Sequence, residues 1–384
     1  MSESAEPARP APGPTAPPEL PLTFRQELLP HVYTALAAGW SCAVIGLAGG
    51  GLSNLMRFAA EPRVSAHYLG QEAANNTLLV YIEADRLLSA PSLFAGLARQ
   101  VAASAHRQHW ARAEQAALRS LAAAPPGGAL AEPAEPLAGM LAFLCGEQHR
   151  RVIFIGDEFD AILALRPAGE LRELRALRDT YKYELAFLLG LRREPGRLAA
   201  ARPGEPQASA GAAKLAELFE QHTFPLRPYS QADAEIAIAR KTVGWPQAPN
   251  NVQLDQLYRA SGGHAKLLVA CLVYLQPRLH LPWANIERGL LADPGLAQIC
   301  AATWQDLEPA ERQALWQLAA EQTETTSPDG LARLELRGLA IGGPASIFST
   351  VFEAFVRGQT EPPAASAEAE YLGSLRDPAA APRW

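Results

Sequence analysis

The sequence predicts an α/β fold: a P-loop-type parallel sheet covered by helices on both faces, followed by an all-helical region and a small module of three helices and a hairpin. Three observations carry that prediction. Apolar runs of strand length alternate with segments of helical spacing up to about residue 228, a glycine cluster separates the first strand from the helix after it, and from Ser230 to residue 338 every segment reads as helix. Such alternation implies parallel strands joined by helical crossovers.

Residues 1–22 are dense in Pro, Ala, Ser and Glu, cannot bury a core and read as a disordered tail, as do residues 358–384. From Phe24 the run FRQELLPHVYTALAAG has helical spacing and leads into a strand at Cys42–Gly46, the glycine cluster, and a helix over LSNLMRFAA. Further strands are expected at Leu78–Glu83, Val152–Gly156 and Glu184–Gly190, separated by helical patterns at Pro91–Ala123 and Gly169–Tyr181. The sheet pattern ends near Phe224–Leu226, after a Gly/Ala/Pro-rich stretch, Gly196–Ala213, that reads as irregular loop. Ser230 is placed to cap a helix, Gly262-Gly263 to break one, and Pro282 and Pro309 to start others. Short strands near Leu339–Ile341 and Ser346–Phe348, then the apolar segment Thr350–Val356, complete the pattern of a winged helix. The expected division is a tail (1–22), a nucleotide-binding domain (23–228), a helical lid (229–290), a winged-helix domain (291–357) and a second tail (358–384).

The chain has 384 residues, is 48% hydrophobic and 19% charged, and has a formal charge of −6, which excludes whole-chain attachment to nucleic acid or anionic lipid through basic excess. No apolar stretch reaches the roughly 20 residues of a membrane span, and the N-terminus lacks a signal peptide's apolar core, so the expected compartment is the cytoplasm. Cys42, Cys145, Cys271 and Cys300 lack C-x-x-C spacing and read as buried thiols rather than a disulfide framework or zinc site.

The segment with most chemical content is Gly46-Leu-Ala-Gly-Gly-Gly-Leu-Ser53, which fits G-x-x-x-x-G-K-[ST] except that Leu52 replaces the lysine. Such a loop curls its backbone N–H groups round a phosphate while the next helix presents its positive end. Gly46, Ala48, Gly49, Gly50, Gly51, Leu52, Ser53 and Asn54 are therefore the expected phosphate-binding residues, with the Ser53 hydroxyl on Mg²⁺. About a hundred residues on, the apolar run Val152–Gly156 ends in Asp157, Glu158 and Asp160, acids at the carboxyl end of a buried strand. Asp157 is expected on Mg²⁺ with Ser53, and Glu158 as the base that polarises an attacking water. The bland alternatives are a tight turn without ligand and a solvated acidic turn. The motif His106-x-x-His109 has no carboxylate or Cys partner and reads as a solvated face.

With these motifs, the chain resembles the AAA+ ATPases, and among them the STAND and origin-recognition-type relatives, over about residues 23–357. The resemblance rests also on Leu177-Arg-Asp-Thr-Tyr-Lys-Tyr183 before the strand at 184–190, on Phe224-Pro-Leu-Arg-Pro-Tyr-Ser230, on Ser261-Gly-Gly-His264 and on Ile347-Phe-Ser-Thr-Val-Phe352. It implies ATP or ADP with Mg²⁺ as ligand, a sensor 1 region near Leu191 and Arg192, and a sensor 2 region at Gly262-Gly263-His264 with Lys266. Arg192 is then the expected transition-state contact, with Lys266 as its alternative; His264 reads equally as a helix-start residue without ligand contact. Missing the loop lysine removes a charge-assisted contact worth roughly 1.5–3 kcal/mol, so weak or absent turnover is expected. Of the four lysines, Lys182, Lys214, Lys241 and Lys266, only Lys266 stands where a lid could bring it to the phosphates.

The first functional expectation is a nucleotide-dependent conformational switch acting on an unidentified protein partner. A nucleotide-free pseudo-ATPase scaffold, its pocket plugged by Leu52, is the alternative. A DNA-linked ATPase is a third, opposed by four arginines against nine acids over residues 291–357, where Asp329 and Glu335 offset Arg333 and Arg337. The family resemblance is also compatible with oligomers.

Overall fold

The structure is a computed structural model and describes residues 18–123, 135–196, 206–322, 328–342 and 345–360. Of the expected tails at 1–22 and 358–384, residues 1–17 and 361–384 lie outside the described residues.

Five parallel strands form the sheet: β1 (Cys42–Ile45), β2 (Thr77–Glu83), β3 (Arg151–Asp157), β4 (Leu185–Leu191) and β5 (Thr223–Pro225), in the order β2-β3-β4-β1-β5. All five were expected, within two residues at each end. Side chains alternate across the sheet because the strand period is two. Cys42 and Val44 of β1, Ile153 and Ile155 of β3, and Ala186 and Leu188 of β4 enter one core, while Ala43, Ile45, Val152, Phe154, Phe187 and Leu189 enter the other. Both faces are apolar because both are covered.

The first core is closed by α1 (Leu29–Ala37) and α2 (Leu52–Ala59). The run from Phe24 is helical only from Leu29, since residues 22–28 form turns and Arg25 takes φ 58°. The second core is covered by α3 (Leu93–Arg107), with α4 (Ala168–Thr180) and α5 (Pro206–Ala216) packed against each other. Helix α5 corrects the loop expected over Gly196–Ala213, of which residues 197–205 lie outside the described residues. The alanines of the stretch favour helix, and a Cβ at Gly211 would stand 2.4 Å from the Ala168 carbonyl oxygen, so the glycine serves close packing rather than a turn.

Four helices follow: α6 (Gln231–Lys241), α7 (Asn251–Ser261), α8 (Ala265–Leu275) and α9 (Trp283–Leu291). The Ser230 side chain caps α6 by accepting from the Asp233 N–H, as expected. Next come α10 (Pro294–Gln305), α11 (Pro309–Ala319) and α12 (Pro328–Leu336), the antiparallel pair β6 (Ala340–Ile341) and β7 (Ser346–Ile347), and α13 (Thr350–Arg357). This C-terminal region shares the first core, to which Trp304, Leu315, Phe348 and Phe352 contribute beside Leu257 and Leu268 of the preceding helices. Leu20 and Leu22, placed in the expected N-terminal tail, pack against it as well.

The α7–α8 turn locks these regions together. Gly262 and Gly263 both have positive φ, and a Cβ at Gly263 would lie 2.2 Å from the Tyr229 carbonyl oxygen. The Gly263 carbonyl accepts the Tyr229 N–H at 3.0 Å or less, namely 2.8 Å, and the Ser349 hydroxyl donates to the Ala260 carbonyl at 2.6 Å. Gly263→Ala should therefore cost about 2 kcal/mol or more from strain and overlap combined, read as a lowered denaturant midpoint.

Arg333 of α12 and Arg337 just after it pair with acids at the start of α11, Arg333 with the N-cap Glu308 at 2.7 Å and Arg337 with Glu311 at 2.8 Å. Side-chain exposures are 13% for Arg337 and 3% for Glu311, so Arg337→Ala would strand a buried carboxylate. That substitution should cost about 3–5 kcal/mol, whereas Arg333→Ala should cost about 1 kcal/mol or less; chemical denaturation of the two variants checks the contrast.

Candidate functional site

Strand β1 has β4 on one side and β5 on the other, and the chain leaves it for the far edge of the sheet at β2. A crevice therefore opens at its carboxyl end, where open parallel sheets bind ligands. The loop from Gly46 to Gly51 occupies that crevice and delivers the chain into α2, whose first residue is Leu52.

The loop is held from outside by its own peptide groups. The neutral His264 imidazole donates from Nε2 to the Ala48 carbonyl at 3.0 Å, and its Nδ1 accepts the Leu267 N–H, capping α8. Lys266 N–H donates to the Gly49 carbonyl at 3.0 Å, and Arg25 Nη2 approaches the Gly50 carbonyl at 3.5 Å. In a trans peptide the N–H points opposite to the carbonyl. The three engaged carbonyls thus turn the N–H groups of Gly49, Gly50 and Gly51 the other way; Gly50 bonds the Leu47 carbonyl, and Gly49 and Gly51 are among the residues that line the crevice. Gly49 has φ 71°, and a Cβ there would stand 2.8 Å from Lys266 Cβ.

The Ala48 N–H donates to Asp306 Oδ2 at 2.6 Å, a contact spanning 258 residues. Asp306, at the end of α10, also pairs with Arg192 at 3.4 Å. Arg192 pairs in turn with Glu158 at 3.5 Å. Glu158 follows β3 with φ 51°, a left-handed conformation costly for a non-glycine residue, and its side chain remains 56% exposed.

Ser53 and Asp157 come together: the hydroxyl donates to Asp157 Oδ1 at 3.2 Å. Tyr81 donates to Asp157 Oδ2 at 3.0 Å, and Arg57 Nε donates to Tyr81 at 3.1 Å. Asp160, grouped in sequence with the Mg²⁺ acids, instead accepts the Arg192 N–H on both oxygens at 3.0 Å. It anchors the end of β4, and burial pushes its carboxyl up to about 6 against those hydrogen bonds.

Leu52 is 8% exposed and lies in the first core; a Cβ at Gly46 or Gly190 would be within 3.3 Å of its side chain. The cleft beyond has a volume of about 750 Å³. Its apolar wall includes Phe24, Phe58 and Tyr229, and its charged rim Arg57, Arg192, Arg240, Lys241 and Lys266 against Glu61 and Glu158. Asn54 lines it at the start of α2. Burial lowers the Lys266 pKa first, with Arg192 repulsion adding to it. Arg25, 5% exposed, stacks its guanidinium 4.2 Å from the Tyr229 ring centre and donates to the Arg227 carbonyl.

Sequence reasoning missed Tyr81, Asp306 and Arg25. Tyr81 carried a signal, as the one hydroxyl inside the apolar run LLVYIE, and its strand pairs with β3 so that Glu83 stands beside Asp157. Asp306 and Arg25 carried none, because their partners are remote in sequence.

No family model matches the chain, and no curated protein matches it. Among solved structures it is similar to the ORC2 protein of Aeropyrum pernix in its ADP form, at 14% identity over 96% of this chain and 97% of that one, TM-score 0.47. It is similar also to the Walker-type ATPase PABY2304 of Pyrococcus abyssi (14% identity, 87% and 97% covered, TM-score 0.46) and to Cdc6p of Pyrobaculum aerophilum (13%, 94% and 97%, 0.43). These likenesses are too distant to transfer a function. No described helix is long and apolar enough to cross a membrane.

His264 is 1% exposed, and burial lowers its pKa from 6.5 to about 4. The unfolded chain therefore binds the extra proton between those values, so stability is full above pH 6.5 and falls as pH drops toward 4. The depression corresponds to roughly 3 kcal/mol at 1.36 kcal/mol per pH unit. Urea midpoints measured from pH 7.5 to 4.5 should fall more steeply for the native protein than for His264→Asn, which can cap α8 but does not titrate.

Proposed function

We propose that the chain is an AAA+-like nucleotide-binding protein whose P-loop domain, helical lid and winged helix change arrangement with the bound nucleotide, with weak or absent hydrolysis. The observation that carries this reading is the direct attachment of the glycine loop to the later regions through His264, Lys266 and Asp306. A ligand seated in that loop touches the groups that hold the lid and the C-terminal region, and it biases them through its different affinity for each arrangement.

The donor set fits an anionic phosphate chain: inward N–H groups at Gly49 and Gly51, the start of α2 with Ser53 and Asn54, and the cationic rim. Ser53 and Asp157 would hold Mg²⁺, which would neutralise phosphate charge. Glu158 would orient water, and Arg192, now engaged by Glu158 and Asp306, would reach the transferring group only after leaving them. Lys266 supplies from the lid a cation that Leu52 does not supply from the loop. Tyr229 and Phe24 offer the apolar wall that a base needs.

One observation favours a second reading. Leu52 is packed into the core, so its position serves stability without any ligand, as a nucleotide-free scaffold requires. The DNA-linked reading loses support from Arg333 and Arg337, since both are engaged by acids at the start of α11, Glu308 and Glu311. Cytoplasmic placement, a protein partner and self-association remain proposals that accompany the switch.

Calorimetric titration of nucleotide-free protein with Mg·ATP and Mg·ADP, beside Leu52→Lys, separates the readings. The switch predicts binding by the native protein and about tenfold or greater tightening in Leu52→Lys, the worth of one charge-assisted contact. Binding by Leu52→Lys alone would favour the scaffold.

A further inference from the structure

We propose that Tyr81 is a positioning residue for the divalent cation that accompanies a bound nucleotide: its hydroxyl fixes the Asp157 carboxylate so that Ser53 can present its oxygen to the metal. The inference rests on the nucleotide reading above and deepens it.

Strand β2 pairs with β3 in parallel, with Tyr81 beside Ile155 and Glu83 beside Asp157. Residues two apart share a face of the sheet, so Tyr81 and Glu83 stand on the face that carries Asp157. Asp157 is 4% exposed, and each of its oxygens meets a hydroxyl: Oδ1 accepts from Ser53 at 3.2 Å and Oδ2 from Tyr81 at 3.0 Å. Among the described residues no arginine, lysine or histidine forms a salt bridge with it. A buried carboxylate that meets hydroxyls and no cation suits a site that a metal ion completes. Mg²⁺ in particular is held by one or two carboxylates or hydroxyls together with phosphate and water, rather than by an all-protein cage.

The groups at the two ends of this hydrogen-bonded chain fix the direction of every proton in it. A guanidinium can only donate and a carboxylate only accept, while a phenol keeps its proton at neutral pH. Arg57 Nε donates to the Tyr81 oxygen at 3.1 Å, so the Tyr81 proton goes to Asp157 Oδ2. Glu83 holds the far side of the Arg57 guanidinium at 3.4 Å and keeps it in place for that donation. Ser53 has one proton, spent on Oδ1, and its remaining lone pairs are those a cation can take. Without the Tyr81 hydroxyl, Oδ2 loses its partner, and the carboxylate is free to turn and to take the Ser53 proton with it. Mg²⁺ demands near-ideal octahedral geometry and is sensitive to such a loss. Partners of metal ligands typically change metal affinity by roughly 10–100-fold. Because Leu52 supplies no charge from the loop, nucleotide affinity leans the more on the metal.

The test is calorimetric titration of the nucleotide-free full chain with a non-hydrolysable ATP analogue, once with Mg²⁺ and once with EDTA, for the native protein, Tyr81→Phe and Arg57→Met. The readout is the ratio of the two affinities, which a merely structural role would leave unchanged. The native protein should bind about tenfold or more tightly with Mg²⁺, and Tyr81→Phe, which keeps the ring, should lower that ratio about tenfold. Arg57→Met removes the donor that aims the Tyr81 proton, from a side chain 58% exposed, and should lower the ratio about threefold. Tyr81→Phe decides where it folds, and Arg57→Met decides where it does not. A ratio kept at its native value would overturn the role of Tyr81 and leave the nucleotide reading intact. Equal weakening with and without Mg²⁺ would mean that Tyr81 only supports the fold, and would overturn the inference likewise, as would native binding that is indifferent to Mg²⁺. Failure of the native protein to bind the analogue in either buffer would overturn both.

Discussion

The hydrogen bonding of three consecutive peptide groups, Ala48 to Gly50, governs how this molecule is put together. They leave the sheet at its topological switch point, and their carbonyls are claimed by His264 and Lys266 from the start of α8 and by Arg25 from the segment before α1. Peptide planarity does the rest: carbonyls drawn outward leave the following N–H groups turned inward. The loop is thus held in shape by contacts made from outside it. His264 can take this place only as a neutral ring, because one nitrogen must donate to a carbonyl and the other accept an N–H.

Charge in the site is distributed to suit that arrangement. The position where a loop lysine would stand holds Leu52, packed into the core at the cleft wall, and the nearby cations come from elsewhere: Lys266 from α8, Arg192 from the end of β4, Arg57 from further along α2. Each of the two arginines is restrained by acids or by a hydroxyl, Arg192 by Glu158 and Asp306, Arg57 by Tyr81 and Glu83. Asp157 is tied by Ser53 and Tyr81. Such a network holds its members in register while it is satisfied, and a new anion must break some of its pairs.

The C-terminal region reaches the site because it shares a core with one face of the sheet. Phe348 presses on the Gly262 turn so closely that any side chain there would overlap it, and Asp306 projects from the same region to the loop. Arg333 of α12 and Arg337 just after it pair with Glu308 and Glu311. The surface of that helix is in consequence less basic than its sequence alone implies, which fits the acidic balance of the region.

The strands, the glycine loop and the Ser53–Asp157 pairing were legible in the sequence, because each is written locally: period-two apolar runs, a cluster of small residues, acids directly after a buried strand. So were the helix starts at Ser230 and Pro309 and the break at Gly262-Gly263. The place of Asp160 was not legible, since adjacency to Asp157 says nothing of which way a side chain turns after the strand ends; burial and the Arg192 N–H decided that. Helix α5 was misread because glycine and alanine fit a loop or a tightly packed helix equally well, and the neighbour that chose between them, Ala168, is 43 residues away from Gly211. Local pattern thus determined the elements and the chemical character of the loop. What holds the loop, through His264, Lys266, Arg25 and Asp306, was decided by tertiary structure, because hydrogen bonds between segments from 25 to 258 residues apart leave no periodicity in the chain that makes them.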